Sequence, residues 1–334
     1  MKPCRVLVTG GAGFIGSHLV RQLVAANHAV LVLEKPGAPV SHLPQDQIEI
    51  VFADIRDGAA VARATRGSDV VVHLAANPNL WARKPDDFEQ VNHQGTRHVL
   101  EAARRAGARR IVHVSTESIL ATAHSQETIT ENTQTSLSDM IGLYCRSKWL
   151  AEQAAHQAVE AGQPVVIVRP TIPVGPGDVR LGPLCRLICD FYNGRVKGYL
   201  DGSLNLIDVR DAAAGIWAAA EYGEIGHRYL LAAEDWTIRG LFRLLAELSG
   251  RPEPRWQVPY VLALAFAYLE EQVCSHLTTA VPIATVTGVR LTQRHFHFDG
   301  RQSARELRLQ PMRDCGAAVG EALGWFRAAG LIAT

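Results

Sequence analysis

A glycine-rich turn near the start of the chain constrains its fold more than any other feature. Arg5–Thr9 (RVLVT) has the composition of a short buried strand, and the segment 10–16 (GGAGFIG) follows it without a linker. Ser17–Ala26 then shows apolar residues at helical spacing. A strand, a glycine turn and a helix in this order place a pyrophosphate at the N-terminus of the helix. The sequence therefore predicts a phosphate-binding turn.

Three glycines and one acidic residue indicate that the ligand is a dinucleotide. Gly10 permits the tight turn, Gly13 lets backbone N–H groups approach the phosphates, and Gly16 lets the helix pack closely on the strand. The next buried run, Ala29–Leu33, ends at Glu34. A carboxylate at this position binds both hydroxyls of an adenosine ribose. Because strand, turn, helix, second strand and acid all agree, we expect a bound dinucleotide rather than an unliganded turn.

The first half of the chain alternates strand and helix patterns, which predicts a parallel sheet covered on both faces. The further predicted strands are Ile48–Ala53, Asp69–Leu74, Arg110–Val114 and Val165–Val168, and the further predicted helices are Ala59–Ala64, Asp86–Ala106 and one from Tyr144 to about Ala161. Residues 169–177 have the composition of a loop, and the regular alternation is lost after them. We expect an α/β fold with a doubly wound parallel Rossmann sheet over 1–173, rejoined by about 203–222. A smaller, irregular α/β C-terminal lobe over 174–334 would select the substrate.

The composition excludes several other classes of function. The chain has 334 residues, of which 47% are hydrophobic, so it can bury a substantial core. Its net charge is +1, which gives no electrostatic footprint for nucleic acid. Six cysteines occur without a CxxC pair and without a preceding signal peptide, so we expect reduced thiols and a cytoplasmic location. His295 and His297 alternate in HFHF without further ligands at zinc-site spacing, so no metal is expected.

One apolar stretch leaves membrane contact open. No apolar run is long enough to span a bilayer. The strongest run, Val258–Leu269, contains Pro259 and stops at two glutamates. It fits a core helix, the wall of a lipophilic pocket or an interfacial segment, so the sequence does not decide on peripheral membrane contact.

A tyrosine, a lysine and a threonine suggest proton-transfer chemistry. Tyr144 and Lys148 are four residues apart at the start of a predicted helix, so they share one face. A phenol with its unperturbed pKa of about 10 is a poor base at neutral pH, and a neighbouring ammonium lowers that pKa. Thr116 lies at the carboxyl end of a predicted strand, where open parallel sheets bind ligands. The three side chains can move a proton on or off a secondary alcohol while a nicotinamide carries the hydride.

Motifs spread over nearly the whole chain resemble one family. They are TGGAGFIG, the acid Glu34, Asp54, HLAA at 73–76, NHQGT at 92–96, VST at 114–116 and YCRSK at 144–148. Together they resemble an extended short-chain dehydrogenase/reductase of the NAD-dependent epimerase/dehydratase family. The later stretches PVGPGDV, GSLNLIDVRDAAAG and ELRLQP to GWFR are similar to its hopanoid-associated epimerase-like and dihydroflavonol-reductase-like branch.

The resemblance implies roles for individual residues. It implies a catalytic triad of Thr116, Tyr144 and Lys148, with Tyr144 as the general acid/base. Tyr144 and Lys148 would also contact the cofactor, Lys148 at the nicotinamide ribose. It further implies that Asn92 positions a proton relay near Lys148. The other implied cofactor contacts are Gly10, Gly13, Phe14, Ile15 and Gly16 at the phosphates, Asp54 and Ile55 at the adenine, Leu74, Ala75 and Ala76 on the nicotinamide side, and Pro170 at the nicotinamide.

The choice between NAD and NADP and the oligomeric state follow less directly from the sequence. Glu34 favours NAD because it repels a 2′-phosphate, while the adjacent Lys35 attracts that phosphate, so NAD is expected with NADP as the alternative. The resemblance also implies a homodimer through the helices near 88–106 and 144–161. An alanine-rich face on the second helix suits close helix packing, but a neighbour within the same chain would use that face equally well.

Departures from the family pattern bear on the substrate. Where the sugar-nucleotide epimerases carry an asparagine and an arginine, this chain has Ile172 and Leu204, and a later R-P-G-D element is absent around 294–300. A diphosphate needs charge-assisted partners, so these departures disfavour a UDP- or dTDP-sugar. The dehydratase members follow their threonine with two acids, whereas Glu117 is followed here by Ser118, which disfavours sugar dehydration.

These patterns favour an NAD(P)-dependent oxidoreductase for the secondary alcohol or ketone of a small lipid-like, sterol-like or polyphenol-like molecule. The apolar stretch 257–269 and neighbouring aromatic residues fit the wall of a lipophilic pocket, although core packing explains them as well. Two alternatives remain: an NAD-dependent nucleotide-sugar epimerase and a non-catalytic dinucleotide-sensing protein.

Overall fold

The computed structural model describes residues 1–120, 128–294 and 297–332. Its strands are β1 (Arg5–Thr9), β2 (Ala29–Glu34), β3 (Glu49–Phe52), β4 (Val70–His73), β5 (Arg110–Val114), β6 (Val165–Pro170), β7 (Ile172–Val174), β8 (Gly198–Tyr199), β9 (Ser203–Asp208), β10 (Arg228–Leu231), β11 (Glu234–Thr237) and β12 (Trp256–Gln257). Its α-helices are α1 (Phe14–Ala25), α2 (Gly58–Thr65), α3 (Asp86–Phe88), α4 (Gly95–Ala106), α5 (Gly142–Glu160), α6 (Pro183–Tyr192), α7 (Val209–Tyr222), α8 (Ile238–Ser249), α9 (Tyr260–His276), α10 (Val286–Leu291), α11 (Arg301–Glu306) and α12 (Cys315–Ala328). A π-helical turn, Glu89–Gln94, joins α3 to α4.

Seven parallel strands form the main sheet, in the order β10–β6–β5–β4–β1–β2–β3. The chain builds outward from β1 through β2 and β3, and then in the opposite direction from β4. Ligands of such sheets bind at the carboxyl ends of the strands, next to the point of reversal. The predicted doubly wound Rossmann sheet is confirmed.

Alternate side chains of each strand point to opposite faces, and helices cover both faces. On one face, Val6 and Val8 of β1 pack in a buried cluster with Leu19 of α1 and Ile216 of α7. Leu7 points to the other face and packs in a second cluster with side chains of α2, α4 and α5. The carboxyl edge of β1 is therefore held rigidly between two layers of helices.

A smaller lobe lies beyond β6. In its three-stranded sheet, β9 pairs in parallel with β7 and antiparallel with β11, and β8 pairs with β12. Phe191 of α6, Phe242 of α8 and Phe326 of α12 belong to its apolar cluster. Because only Thr171 separates β6 from β7, this lobe is joined directly to the ligand-binding edge of the main sheet.

The predicted loop at 169–177 is partly wrong. β6 continues through Pro170, since its last four residues pair with β10. Ile172–Val174 forms β7, since it pairs with β9. Both partners lie far along the chain and leave no local pattern in this segment. At the amino end, α1 begins at Phe14 rather than at Ser17, so the helix starts inside the glycine motif.

The apolar run Val258–Leu269 is not a core helix. It supplies most of α9, where Leu262 and Leu269 are 62% and 63% exposed. No helix in the described ranges is both long and apolar enough to cross a membrane. The structure thus removes one of the three explanations for this run.

Candidate active site

The glycine turn forms a tight cradle at the end of β1. Gly10 has a φ of 72°, which favours glycine, and a Cβ there would lie 2.7 Å from the Ala75 nitrogen. A Cβ at Gly16 would overlap the Gly10 carbonyl oxygen. The Gly13 N–H donates to that same oxygen at 2.9 Å, and Phe14 and Ile15 open α1. The backbone is therefore free of side chains where a dinucleotide phosphate approaches the helix N-terminus.

Glu34 ends β2 beside this cradle and is only 3% exposed. Its Oε1 accepts the Ala12 N–H at 2.8 Å, and its Oε2 accepts Arg180 Nη2 at 3.0 Å. Lys35 follows as an exposed residue. The sequence pattern did not single out Arg180, which lies in the loop after β7, where no local periodicity marks it. A guanidinium thus shares the carboxylate that was predicted to bind the ribose.

The other predicted cofactor residues lie along the same edge. Asp54 follows β3, and its carboxylate accepts Arg56 Nη2 at 2.7 Å. The side chain of Ile55 is buried, and its carbonyl oxygen lies 2.9 Å from His98 Nδ1. Leu74, Ala75 and Ala76 continue from β4, and the Ala75 N–H donates to Thr9 Oγ1 at 3.2 Å. Pro170 is buried at the end of β6. The structure therefore brings these residues to one edge, although several of their side chains already have partners.

Tyr144 and Thr116 come together where β5 ends and α5 begins. Thr116 lies two residues beyond the end of β5, and Tyr144 is the third residue of α5. Burial raises the pKa of the Tyr144 phenol well above its ordinary value, and the charge of Glu117 adds to this effect. Hydrogen bonds with Thr116 and Ser118 act in the opposite direction. The phenol therefore stays protonated at neutral pH and can act as an acid.

Lys148 lies one turn further along α5 and is 5% exposed. Its Nζ donates to the Val114 carbonyl oxygen of β5 at 2.8 Å. Burial lowers the pKa of Lys148 to about 8, and the charge of Glu152 opposes this shift. The ammonium is thus held at the carboxyl end of β5, on the same helix as the tyrosine.

Asn92 ties the π-helical turn to the same helix. It is 1% exposed, and its Oδ1 accepts the Asn77 N–H at 2.7 Å. Its Nδ2 donates to Ser147 Oγ at 2.9 Å, one residue before Lys148. Ser147 was not among the predicted residues. Asn92 therefore joins the segment after β4 to the helix that carries the tyrosine and the lysine.

Glu117, the residue after Thr116, belongs to the same cluster. Thr116 Oγ1 donates to Glu117 Oε2 at 2.8 Å and lies 3.0 Å from Ser118 Oγ. Burial raises the pKa of Glu117 to about 7, and the hydrogen bond from Thr116 partly offsets this. A carboxyl group that titrates near neutral pH thus lies beside the threonine and the tyrosine.

Two histidines, His295 and His297, alternate in a stretch where the sequence predicts no metal site. Across the ranges that the structure describes, no group of three or more His, Cys, Asp or Glu side chains is arranged to hold a metal ion. His297 Nδ1 contacts the carboxylate of Asp235. His295 lies outside the described residues.

Comparison with known proteins agrees with this geometry. Residues 6–232 match the NAD dependent epimerase/dehydratase family. The chain belongs to this family. It is 33% identical to a protein named putative dihydroflavonol 4-reductase from Synechocystis sp., over 98% of this chain and 96% of that protein. It is 32% identical to sterol demethylase protein B from Methylococcus capsulatus, over 98% of this chain and 99% of that protein.

Several solved structures share this fold and are more than 25% identical to this chain. The crystal structure of gox2253 superposes with a TM-score of 0.86 at 30% identity, over 98% of this chain and 99% of that chain. DesIV, a dTDP-glucose 4,6-dehydratase from Streptomyces venezuelae solved with NAD and TYD bound, gives a TM-score of 0.80 at 26% identity, over 97% of each chain.

These comparisons confirm the predicted family. They also confirm that the protein is an NAD-dependent dehydrogenase/reductase and that its cofactor is NAD. The residues present fit this cofactor, because backbone atoms approach Gly10 and Gly16 too closely for any Cβ, and the tight turn that results leads directly into the N-terminus of α1. The roles of single residues stay predictions, because family membership does not test them.

Proposed function

We propose that this protein reduces the ketone, or oxidises the secondary alcohol, of a small lipophilic molecule with a nicotinamide cofactor. The single observation that carries the proposal is the cluster at the end of β5, in which Thr116, Tyr144 and Lys148 meet at the ligand-binding edge of the sheet. This arrangement suits proton transfer to a substrate oxygen.

In this mechanism the dinucleotide supplies the hydride when it is bound. Tyr144 is protonated at neutral pH because burial raises its pKa, so its hydroxyl donates a proton to the ketone oxygen. Thr116 donates a second hydrogen bond to the same oxygen by turning its hydroxyl away from Glu117. The Lys148 ammonium, fixed by the Val114 carbonyl, stabilises the phenolate that remains. In the oxidative direction each proton moves the opposite way.

The lipophilic substrate class rests on two observations. Ile172 and Leu204 stand where a diphosphate substrate needs polar or cationic partners, and both pack against the apolar cluster of the smaller lobe. The names of similar proteins point in the same direction, since they include sterol demethylase protein B and, at 32% identity over 82% of this chain, the 2-alkyl-3-oxoalkanoate reductase of Stenotrophomonas maltophilia. A lipid-like, sterol-like or polyphenol-like ketone fits both observations.

A nucleotide-sugar epimerase remains the second candidate. The likeness to DesIV, whose structure contains NAD and TYD, favours it. The third alternative, a non-catalytic sensor, is weaker, because Tyr144 and Lys148 are both present and face the same strand end.

Three further features belong to the same proposal. The six cysteines are free thiols, which supports a reducing cytoplasmic location. Arg180 and Lys35 place positive charge next to Glu34, which supports use of NADP beside NAD. The homodimer through α4 and α5, and the boundary of the dinucleotide-binding part near residue 173, are proposed on the resemblance alone.

The direct test is steady-state oxidation of NADH with a panel of lipophilic ketones and, in parallel, with UDP- and dTDP-sugars. We expect turnover with members of the first group, and we expect Tyr144→Phe to lower kcat by about a thousandfold while NADH binding stays unchanged. Cys145→Ser is the matched control, since its buried thiol is not assigned a proton-transfer role. Turnover of nucleotide sugars alone would replace the reductase with the epimerase.

A further inference from the structure

One helix of the molecule carries its larger apolar side chains on the outside. Of the sixteen large apolar side chains exposed in the described ranges, ten lie between residues 256 and 283. On α9, Leu262, Phe266 and Leu269 follow one stripe at helical spacing and are 62%, 53% and 63% exposed. The buried face of the same helix carries Ala263 and Ala267. This distribution is the reverse of an ordinary surface helix.

We propose that the outward face of α9 docks on the surface of an anionic lipid bilayer. The face is defined by Val261, Leu262, Phe266, Tyr268, Leu269 and Val273, and we call it the α9 face. In the docked state these side chains enter the boundary between headgroups and acyl chains, and the helix lies in the plane of the bilayer. Delivery of a lipophilic ketone from that bilayer rests on the proposed function, whereas the docking itself does not.

The distribution of charge around the α9 face matches an anionic surface. Between residues 254 and 298 the sequence contains only two acids, Glu270 and Glu271. Both are turned inward, since Glu270 Oε2 accepts the Ala284 N–H at 3.1 Å and Glu271 Oε1 accepts the Val286 N–H at 2.8 Å. The α9 face therefore presents no carboxylate to a negatively charged headgroup.

Basic side chains lie at the edges of the same surface. Arg83 donates to the carbonyl oxygens of Ser275 and Thr278, at the end of α9, and its guanidinium lies over the Trp81 ring. Lys84 follows it and is exposed, and Arg290 of α10 is exposed as well. Cations at this level attract anionic lipid headgroups, which adds to the apolar contribution of the helix.

Aromatic side chains complete the pattern of an interfacial element. Trp256 is 78% exposed, just before the helix, and Tyr268 is 59% exposed on it. Such rings have an apolar body and a polar group, and they favour the headgroup level of a bilayer. A water-soluble partner protein would instead be expected to meet hydrogen-bonding groups along the rim of the contact.

The α9 face is connected to the candidate active site through α10. Ala263 and Ala267 of α9 pack in one buried cluster with Val289 of α10. In the same short helix, Thr287 contacts Gly142, two residues before Tyr144, so tightly that a Cβ on that glycine would overlap the threonine side chain. α10 therefore lies between α9 and the start of α5, the helix that carries Tyr144. A bilayer bound to α9 would lie on the outer side of these two helices.

Vesicle sedimentation of the purified protein tests the docking without any substrate. The vesicles are made of phosphatidylcholine alone or with phosphatidylglycerol. We expect sedimentation with the anionic vesicles, weakened by salt. The double variant Leu262→Gln/Leu269→Gln should lower the apparent affinity by at least about tenfold, because two exposed leucines no longer enter the acyl region.

The matched control is Ile225→Gln/Leu248→Gln, which alters two apolar side chains away from α9. Ile225, between α7 and β10, is 55% exposed, and Leu248 of α8 is 45% exposed. It should sediment like the unchanged protein, and thermal melts of both variants verify folding. Equal sedimentation of the two variants, or no sedimentation of the unchanged protein, overturns the proposal. Analytical ultracentrifugation tests for a second copy on this face. If the unchanged protein is a dimer that does not bind vesicles, and the α9 variant is a monomer, the face belongs to a dimer interface and the proposal is overturned as well.

The result of the vesicle test can be distinguished from the result of the test of the proposed function. NADH oxidation with a short, water-soluble ketone in the absence of vesicles should be the same for the α9 variant and the unchanged protein. If no ketone is turned over but vesicle binding depends on Leu262 and Leu269, the reductase proposal fails and the docking stands.

Discussion

Glu117 lies beside two of the three proposed catalytic side chains. Its carboxylate accepts the Thr116 hydroxyl and raises the pKa of Tyr144, so its protonation state acts on two of the three proposed catalytic side chains. Because its own pKa is raised to about 7, this state changes within the ordinary working range of an enzyme. The residue thus links catalysis and stability to the same titration.

The stability of the protein should depend on this titration with a definite sign. The folded protein raises the pKa of Glu117 from 4.5 to about 7, so between these values the folded state binds more protons than the unfolded state. The free energy of unfolding that this group contributes is therefore lost as pH rises through about 7. Glu117→Gln should remove the loss and stabilise the protein at pH 8 by on the order of 2 kcal/mol.

Urea unfolding at pH 5 and pH 8 measures this effect. The two proteins should differ little at pH 5, where the carboxyl is mainly protonated and resembles the amide in shape. Asp299→Asn serves as the control, because its partly exposed carboxylate has a pKa that a hydrogen bond from Arg301 lowers to about 2. An equal gain from Glu117→Gln at both pH values would contradict the assignment.

Arg180 should influence the choice between NADH and NADPH. Its guanidinium partly neutralises the buried Glu34 carboxylate, which otherwise repels a 2′-phosphate. Arg180→Ala should therefore raise the Kd for NADPH about tenfold relative to the Kd for NADH. Titration of both cofactors by fluorescence gives the ratio. Arg195→Ala, which removes an exposed arginine paired with Asp190, should leave it unchanged. An unaltered ratio in Arg180→Ala would show that the ion pair has no part in selectivity.

Single residues were predictable to the extent that their roles depend on local sequence. Gly10 and Gly16 could be predicted because a turn and a close packing contact each require glycine at fixed spacing. Tyr144 and Lys148 could be paired because a helix places them on one face. Arg180 could not, since it reaches Glu34 from 146 residues away.

A buried ion pair connects α5 to the neighbouring strand β6. Arg169 Nε donates to Glu152 Oε2 at 3.0 Å, and both side chains are nearly inaccessible, at 3% and 2% exposed. Burial alone would raise the pKa of Glu152, but hydrogen bonds from His156 and Arg169 bring it well below its usual range. This pair holds the middle of the helix that carries Tyr144 and Lys148.

Removal of one partner should destabilise the protein strongly. Glu152→Ala leaves the guanidinium of Arg169 buried without its counter-charge, which costs about 3–5 kcal/mol of unfolding free energy. Glu101→Ala is the matched control, because its carboxylate pairs with Arg104 on the exposed side of α4. That change should cost less than about 1 kcal/mol. Comparable losses in urea unfolding of the two variants would contradict the structural role of the buried pair.

Among the secondary-structure elements, a strand could be predicted from the sequence where the elements that it packs against are close to it in the chain. Strong apolar patterns mark β1, β5, α1, α2 and α5, and the positions of these elements could be predicted within a few residues. β7 contains only three residues, and β10 only four, and each is fixed by pairing with a distant strand. Such short strands carry little periodicity, so tertiary pairing decides them.

In the whole molecule, the two lobes meet beside the phosphate cradle. The loop after β7 approaches from the smaller lobe, where the Pro176 carbonyl oxygen lies 2.9 Å from His18 Nε2 of α1 and Arg180 pairs with Glu34. Leu181 of the same loop and Phe14 of α1 also pack against the apolar cluster of the smaller lobe. Polar and apolar contacts thus both join this loop to the segment that forms the phosphate cradle.

The proposed reductase should contain little dinucleotide after desalting. A reductase must exchange its oxidised cofactor after each turnover, whereas an epimerase returns the hydride to its own substrate and has no need to release NAD. We expect less than stoichiometric dinucleotide in the supernatant of the denatured protein. Added NADH should stabilise the empty protein by about 2.7 kcal/mol at a concentration one hundred times its Kd.

Thermal unfolding with increasing NADH measures the second expectation. Tyr144→Phe should show the same shift, because the missing hydroxyl acts on the substrate and leaves the cradle at Gly10 and Gly16 intact. Nearly stoichiometric NAD in the purified protein would favour the epimerase instead. Nucleotide sugars would then be expected to raise the melting temperature further, despite Ile172 and Leu204 at the positions where a diphosphate needs polar partners.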